Sequence, residues 1–391
     1  MALLATLRPI AAFPTELDER QWHLPQIRAL AETFPRIEEG SATVPMPLLY
    51  HWFMAGLSSP MTEDLQGLRL IQLALGIGLA CASYALLRRR LNVDTAALSA
   101  MAFGLSPAVF GSSVRLTTDV PCALLCLTVL IQLCGSGSRR SIFLASLTAL
   151  AAILTRQTSV WLIPLIAFAA WRPRRSAAAN STVALVALPI LGLLGLMWFW
   201  GGALPPQMAE QHLRFPNTLG PLTILTLIGA YSLPFLAVAI PPDRSQLVRA
   251  ATISLGATAL LGLTAPGQAE AFAEGPLRNW TSRGPWIAGL PAGQLALAFI
   301  GGIVVAMVAL APNGRSERLA MVGLAAHAII SLFLWRAFER YYEPYMILFV
   351  LWFAASRSRS DQSYRLSATA LILVGICAHI SFWIWPAVTG T

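Results

Sequence analysis

The chain has 391 residues, of which 56% are hydrophobic and only 12% charged, with a mean hydropathy of +0.65. A soluble domain carries about twice that share of charge, so a water-soluble enzyme is excluded and a membrane bundle is expected. The net charge of +9 comes entirely from arginine, because the chain has no lysine; its tightest groups fall in short loops between apolar runs, where the positive-inside rule accounts for them without a nucleic-acid partner.

In chain order, residues 1–13 are apolar but too short to span, and they lack the layout of a signal peptide. They read as a short or truncated first membrane segment. Residues 14–67 are polar or mixed and hold eight of the 18 carboxylates: Glu16, Asp18, Glu19, Glu32, Glu38, Glu39, Glu63 and Asp64. Within them Val44 to Leu57, with Pro45, Pro47, Tyr50, His51 and Trp52, reads as a re-entrant or interfacial segment, since proline and aromatic content suit the interface. Residues 68–391 read as the transmembrane bundle. Its apolar runs lie near 68–87, 94–113, 119–134, 141–155, 158–171, 182–203, 221–240, 246–265, 287–312, 318–335, 344–356 and 366–386. The fold class expected is an all-α polytopic membrane protein of about 12–13 helices.

Arg88–Arg90, Arg139-Arg140, Arg172 with Arg174-Arg175, Arg244, Arg315 with Arg318, and Arg357 with Arg359 and Arg365 occupy alternate loops. That pattern assigns those loops to the cytoplasm and the others to the outer face. The outer loops then collect Asp18, Glu19, His23, Asp119, Arg156, Gln157, His212, Arg214, Arg278, Arg283, Glu339 and Arg340. Outer arginines are not explained by topology. They call for anionic partners, and a lipid-linked phosphate is one.

Sugar transfer to a hydroxyl needs a general base beside the acceptor, which a carboxylate supplies. It also needs positive charge or N–H groups where the phosphate leaves. Asp18 or Glu19 and the outer arginines provide both parts. Each has a structural alternative. Asp18-Glu19 also suits a solvated helix start, Asp119 a carboxylate favoured by a helix N-terminus with Pro121 in the first turn, and Arg156 a snorkelling residue at a helix end. The five cysteines, Cys81, Cys122, Cys126, Cys134 and Cys377, lie in or beside apolar runs and read as packing residues, not as metal ligands or disulfides. No nucleotide-binding motif is present.

Several motifs recur in order. Asp18-Glu19-x-x-x-His23-x-Pro25-Gln26 resembles the Asp-Glu-x-x-His-x-Pro-Gln signature of the dolichyl-phosphate-glucose-dependent α-1,2-glucosyltransferases, with one extra residue before His23. Thr43 to Tyr50, Leu68-Arg69-Leu70 and Thr117-Thr118-Asp119 resemble later motifs of that family, and Thr155-Arg156-Gln157-Thr158-Ser159-Val160-Trp161 resembles its Phe-Arg-Gln-Thr-Asn-Ile-x-Trp. Gly201-Gly202 with Arg214-Phe215-Pro216, and Arg340-Tyr341-Tyr342-x-Pro344-Tyr345, look like its remaining loops. The family's long Asp-Asn-Arg-His-Tyr-Thr-Phe-Tyr segment is reduced here to Arg278-Asn279-Trp280.

The resemblance implies a GT-C-type bundle with outer-face loops and short interfacial helices. It implies transfer of a hexose, glucose in that family, from a polyprenyl-phosphate donor to a hydroxyl of a lipid-linked or cell-envelope glycan, with inversion and without a metal or other cofactor; the carboxylates themselves could also hold a divalent cation. Asp18 or Glu19 would be the base. His23, Gln26, Arg69, Asp119, Arg156, Gln157, His212, Arg214, Arg340 and Tyr341 would bind substrate. The arginine-only composition fits a GC-rich bacterial genome, so the expected location is a bacterial cytoplasmic membrane with the site on its outer face, or the endoplasmic reticulum in a eukaryote. The rival reading is a transporter or flippase of a lipid-linked saccharide, which predicts internal repeats and midplane charges. No obvious repeat is seen.

Overall fold

A computed structural model describes residues 18–37, 44, 46–58, 65–135, 138–171, 185–202, 216–236, 243–265, 273–311, 314–334, 337–357 and 360–389. His212 and Arg214 lie outside these residues. The protein is an all-α polytopic membrane protein, as its composition requires. The chain clusters into two compact units. The first joins residues 1–82 to 110–213, and the second joins 83–109 to 214–391.

The first unit opens with a π-helical turn, Glu19–His23, that runs into α1 (Leu24–Thr33) with Pro25 in its first turn. Proline has no N–H to donate back into the preceding turn, so the hydrogen-bond ladder is interrupted where the π-turn meets α1. Next come α2 (Leu49–Ser58) and α3 (Leu65–Leu87). Ile27, Leu30, Tyr50, Met54, Ala55, Leu68 and Leu116 form one apolar cluster that ties α1, α2 and α3 to the loop after residue 113. Of the segment expected to be interfacial, the part from Leu49 onward folds as a helix packed on α1.

The run at 94–113 is not one straight span. It forms α4 (Val93–Gly104) and α5 (Pro107–Ser113), bent by 72°. Pro107 cannot continue a helix hydrogen-bond ladder, so a new helix starts there. In the first unit α6 (Asp119–Leu133) packs on α7 (Arg139–Thr155), capped by Ser138, whose side chain accepts the Ser141 N–H. A 3-10 turn, Gln157–Trp161, leads into α8 (Leu162–Ala170), and α9 (Ala187–Trp200) ends at Gly201, whose φ of 69° suits glycine.

The second unit contains α4, the first three residues of α5, α10 (Leu219–Ser232) and α11 (Arg244–Thr264). A short helix, α12 (Pro276–Thr281), follows. Then come α13 (Ala292–Leu310), α14 (Arg315–Ser331), α15 (Glu339–Arg357) and α16 (Asp361–Thr389). α10 and α13 lie backbone to backbone: a Cβ on Gly229 would strike the Leu297 carbonyl, and one on Gly301 the Leu225 carbonyl. Small residues of this kind let membrane helices approach closely. Two-residue strands β1 (Ala273–Glu274) and β4 (Ala337–Phe338) pair in parallel and set Glu339 beside α12. Strands β2 (Trp286–Ile287) and β3 (Leu290–Pro291) form a small hairpin before α13.

Each apolar run of the sequence contains a helix. Among the described residues α3, α11 and α13 are long and apolar enough to cross a membrane, and the bent pair α4–α5 makes a fourth if it is one span. Four further apolar helical segments, 119–133, 157–170, 187–200 and 219–235, are shorter.

Candidate active site

The π-turn explains the extra residue before His23. The Leu24 N–H reaches back five residues to the Glu19 carbonyl, so one additional residue is taken up within a single wide turn. Such turns are uncommon and cluster at functional sites. The result keeps Glu19, His23, Gln26, Ile27 and Leu30 on one buried face.

Glu19 is fully buried and held by three donors. Its Oε1 accepts from Arg69 Nε at 3.0 Å and from the Leu116 N–H at 3.0 Å. Its Oε2 accepts from Arg69 Nη2 at 2.5 Å. Arg69, on α3, is itself 1% exposed. This is the bidentate geometry in which guanidinium and carboxylate match best. Asp18 stands one residue earlier, at the head of the π-turn, and is half-buried; its side chain caps no backbone N–H. The two carboxylates, interchangeable in the sequence, thus have different surroundings.

Beside them lies a second buried network. His23 Nδ1 meets His51 Nε2 at 2.9 Å, with the rings close to parallel. The Tyr50 hydroxyl donates to Gln72 Oε1 at 3.0 Å, and Gln72 Nε2 donates to the carbonyls of Ser112 and Thr117. Burial pushes the His51 imidazole down to about 3, so it is neutral at any physiological pH. Burial, with the nearby Glu19 charge, holds the Tyr50 phenol well above its usual value. Gln72 thereby fixes the same loop whose Leu116 N–H binds Glu19.

Asp119 and Arg156 form an ion pair, with Oδ1 of the one against Nη1 of the other. Asp119 opens α6, as the helix-start reading expected, and the chain at Arg156 is extended where α7 breaks into the 3-10 turn. Both are buried, so the charge of Arg156 is offset by a carboxylate. Gln157 begins the 3-10 turn and is partly buried. Ser159 and Cys122 pack behind, at 3.0 Å. None of the five cysteines forms a disulfide, and Cys81 and Cys377 are exposed on their helices, which corrects the packing role expected for those two.

Arg340 and Tyr341 belong to the second unit. The Arg340 guanidinium lies over the rings of Phe338, at 5.1 Å, and Tyr341, at 5.5 Å. Next to it Glu339 is buried and accepts the N–H groups of Leu277 at 3.0 Å and Arg278 at 2.6 Å. Burial pushes its carboxyl up to about 8 against those two hydrogen bonds. A cavity of about 10 Å³, room for roughly one water, is lined by Thr223, Thr226, Arg278, Thr281, Gln294 and Glu339. Among the described residues no group of three or more His, Cys, Asp or Glu is placed to hold a metal.

Within the first unit the structure therefore brings together Glu19 with Arg69 and Asp119 with Arg156. It also reveals His51 and Gln72, which the motif reading passed over. His51 lies in an apolar stretch and carried no signal beyond its neighbour Tyr50.

The family described as dolichyl-phosphate-mannose-protein mannosyltransferase matches residues 45–200. That match supports a membrane glycosyltransferase of the GT-C type. It covers Arg69, Asp119, Arg156 and Gln157 and begins after Asp18-Glu19. It does not reach the narrower glucosyltransferase reading. No curated protein and no solved structure matches the chain.

Proposed function

We propose that the protein transfers a hexose from a polyprenyl-phosphate donor to a hydroxyl of a lipid-linked or cell-envelope glycan, with Asp18 as the general base. The observation that carries this reading is the contrast between the two acids. Glu19 is fully buried against Arg69 and the Leu116 N–H, where no acceptor hydroxyl reaches it, while Asp18 remains partly exposed. In the reaction Asp18 takes the proton of the acceptor hydroxyl. The hydroxyl oxygen forms a bond to the anomeric carbon. The bond from that carbon to the phosphate oxygen breaks, and its electron pair leaves with the polyprenyl phosphate. Attack opposite the leaving group inverts the anomeric centre.

Arg156 and Gln157 at the break after α7, together with His23 and Gln26, are our proposed substrate-binding residues in the first unit. Arg340 and Tyr341 are proposed from the second, with His212 and Arg214 named by sequence alone. Arginine meets a phosphate through paired hydrogen bonds. Because Arg156 already has Asp119, the pair would bind as a unit of fixed orientation instead of as a bare cation. The hexose is left between glucose, as the motifs suggest, and mannose, as the matching family's description suggests.

The test is transfer by membranes carrying the protein, given polyprenyl-phosphate-glucose and polyprenyl-phosphate-mannose in parallel. Asp18→Asn should lower the rate by about 10²–10⁴-fold, the usual worth of a general base. Unchanged transfer by Asp18→Asn overturns the assignment. Movement of either donor across the bilayer without transfer would replace it with a transport function.

A further inference from the structure

We propose that His51 fixes the protonation pattern of His23, so that His23 acts as a hydrogen-bond donor through Nε2 and not as a base. This assignment rests on the reading of the Asp18-Glu19 segment as the active site, and its tautomer part stands independently of it.

His51 is fully buried, and its Nδ1 has no hydrogen-bond partner. Its Nε2 lies 2.9 Å from His23 Nδ1, and His23 is buried too. Burial keeps His51 neutral, so it carries one proton on one of two nitrogens. On Nδ1 that proton would be an N–H with nothing to donate to, the rarest kind of buried polar group. On Nε2 it donates to His23 Nδ1, and only a lone pair is left unfilled. The second arrangement is the favoured one, and Nε2–H is also the intrinsically preferred neutral form of a histidine side chain. His23 Nδ1 must then be the acceptor, and in its neutral form the His23 proton sits on Nε2.

With its one lone pair, on Nδ1, committed to the His51 N–H and its Nε2 already protonated, neutral His23 has no uncommitted lone pair with which to take a proton. Through Nε2 it can only donate. That leaves the acceptor proton to a carboxylate, and it suits His23 to orient an oxygen: a carboxylate, a sugar hydroxyl or a phosphate. His51 is thus a positioning residue, acting through His23. The π-turn and α2 both serve this pairing, since they hold two rings 28 positions apart in the sequence at hydrogen-bond distance.

The experiment is ¹⁵N NMR of the full chain, labelled at histidine and held in lipid nanodiscs at pH 8. With five histidines in the chain, His23→Asn identifies the His23 signals. The expected result is an unprotonated Nδ1 and a protonated Nε2 on His23. His51→Leu should replace this with a tautomer mixture, and His51→Gln, whose amide nitrogen donates from nearly the same place, should restore it. In transfer assays His51→Leu should lower kcat about tenfold or more with KM nearly unchanged, and His51→Gln should recover most of it. A proton on His23 Nδ1 in the parent protein overturns the proposal. So does an unaltered His23 signal in His51→Leu. Should His51→Leu fail to fold, the parent spectrum and His51→Gln still decide the matter. If the tautomers are as expected but Asp18→Asn transfers at full rate, the catalytic reading falls and the tautomer assignment stands.

Discussion

A carboxylate taken wholly out of water is tolerated when its charge is matched and its lone pairs are filled. Arg69 and the Leu116 N–H meet both needs for Glu19. Removing one partner leaves the other charge buried alone, at about 3–5 kcal/mol. Glu19→Gln and Arg69→Met should each lower unfolding stability by that order in detergent. Glu19→Gln with Arg69→Met together should cost less than the sum by at least about 1 kcal/mol, as expected of groups in direct contact. Asp18→Asn, at a partly exposed carboxylate, should cost less than either, so thermal unfolding separates the structural acid from the reactive one. Glu339 makes a second prediction. Its carboxyl is raised from 4.5 to about 8, so between those values the unfolded chain has lost a proton the folded chain keeps. Stability is then fullest below about pH 4.5 and declines as pH rises to about 8, by up to about 1.4 kcal/mol per pH unit. Unfolding scans at pH 5, 6.5 and 8 should show that slope, and Glu339→Gln should flatten it.

At the level of elements, much was readable in advance. Every apolar run holds a helix, because about 20 apolar residues have few other options in a bilayer. The α6 start at Asp119 and the break at Arg156 were also legible, from a carboxylate before a proline and a charge between two apolar stretches. The 72° bend between α4 and α5 was not foreseen, since hydropathy does not register direction and the run is apolar throughout. Nor was the Glu19–Arg69 pair, whose members are 50 positions apart. The motif spacing did flag an extra residue after Glu19, and its physical meaning is the π-turn. That turn can be tested by shortening it. Deleting Gln21, which is exposed, should convert the π-turn to ordinary helix and keep both Glu19 and His23 inward, with a cost of about 1 kcal/mol or less. Deleting Arg28, exposed on α1, should rotate the Glu19 and His23 side of the segment off the buried face by about 100°, one α-helical residue, and lose several kcal/mol. Thermal unfolding of the two deletions side by side is the check.

For the whole molecule, the arginine pattern sets the outer face as the proposed side of Asp18. Trp22 lies within the π-turn and is exposed. Trp22→Cys, in a background with the native cysteines replaced, should react in intact cells with a maleimide that cannot cross the membrane. Labelling only after the cells are opened would put the acidic segment on the cytoplasmic side and reverse the topology.

The two units are each discontinuous along the chain, and this governs the order in which the protein can be completed during synthesis. Residues 83–109 are made early, yet the groups that hold them are made late. Asn92 and Thr95 wait for Asp361, Ser99 waits for Tyr364, and the Ala108 N–H waits for Glu343. Domains usually fold in the order they leave the ribosome, but here α4 and the start of α5 lack these partners while more than two hundred further residues are translated. A premature stop anywhere before residue 343 would therefore strand an early segment as well as delete a late one, making nascent chains of this protein natural clients for whatever shelters half-finished helices in the bilayer.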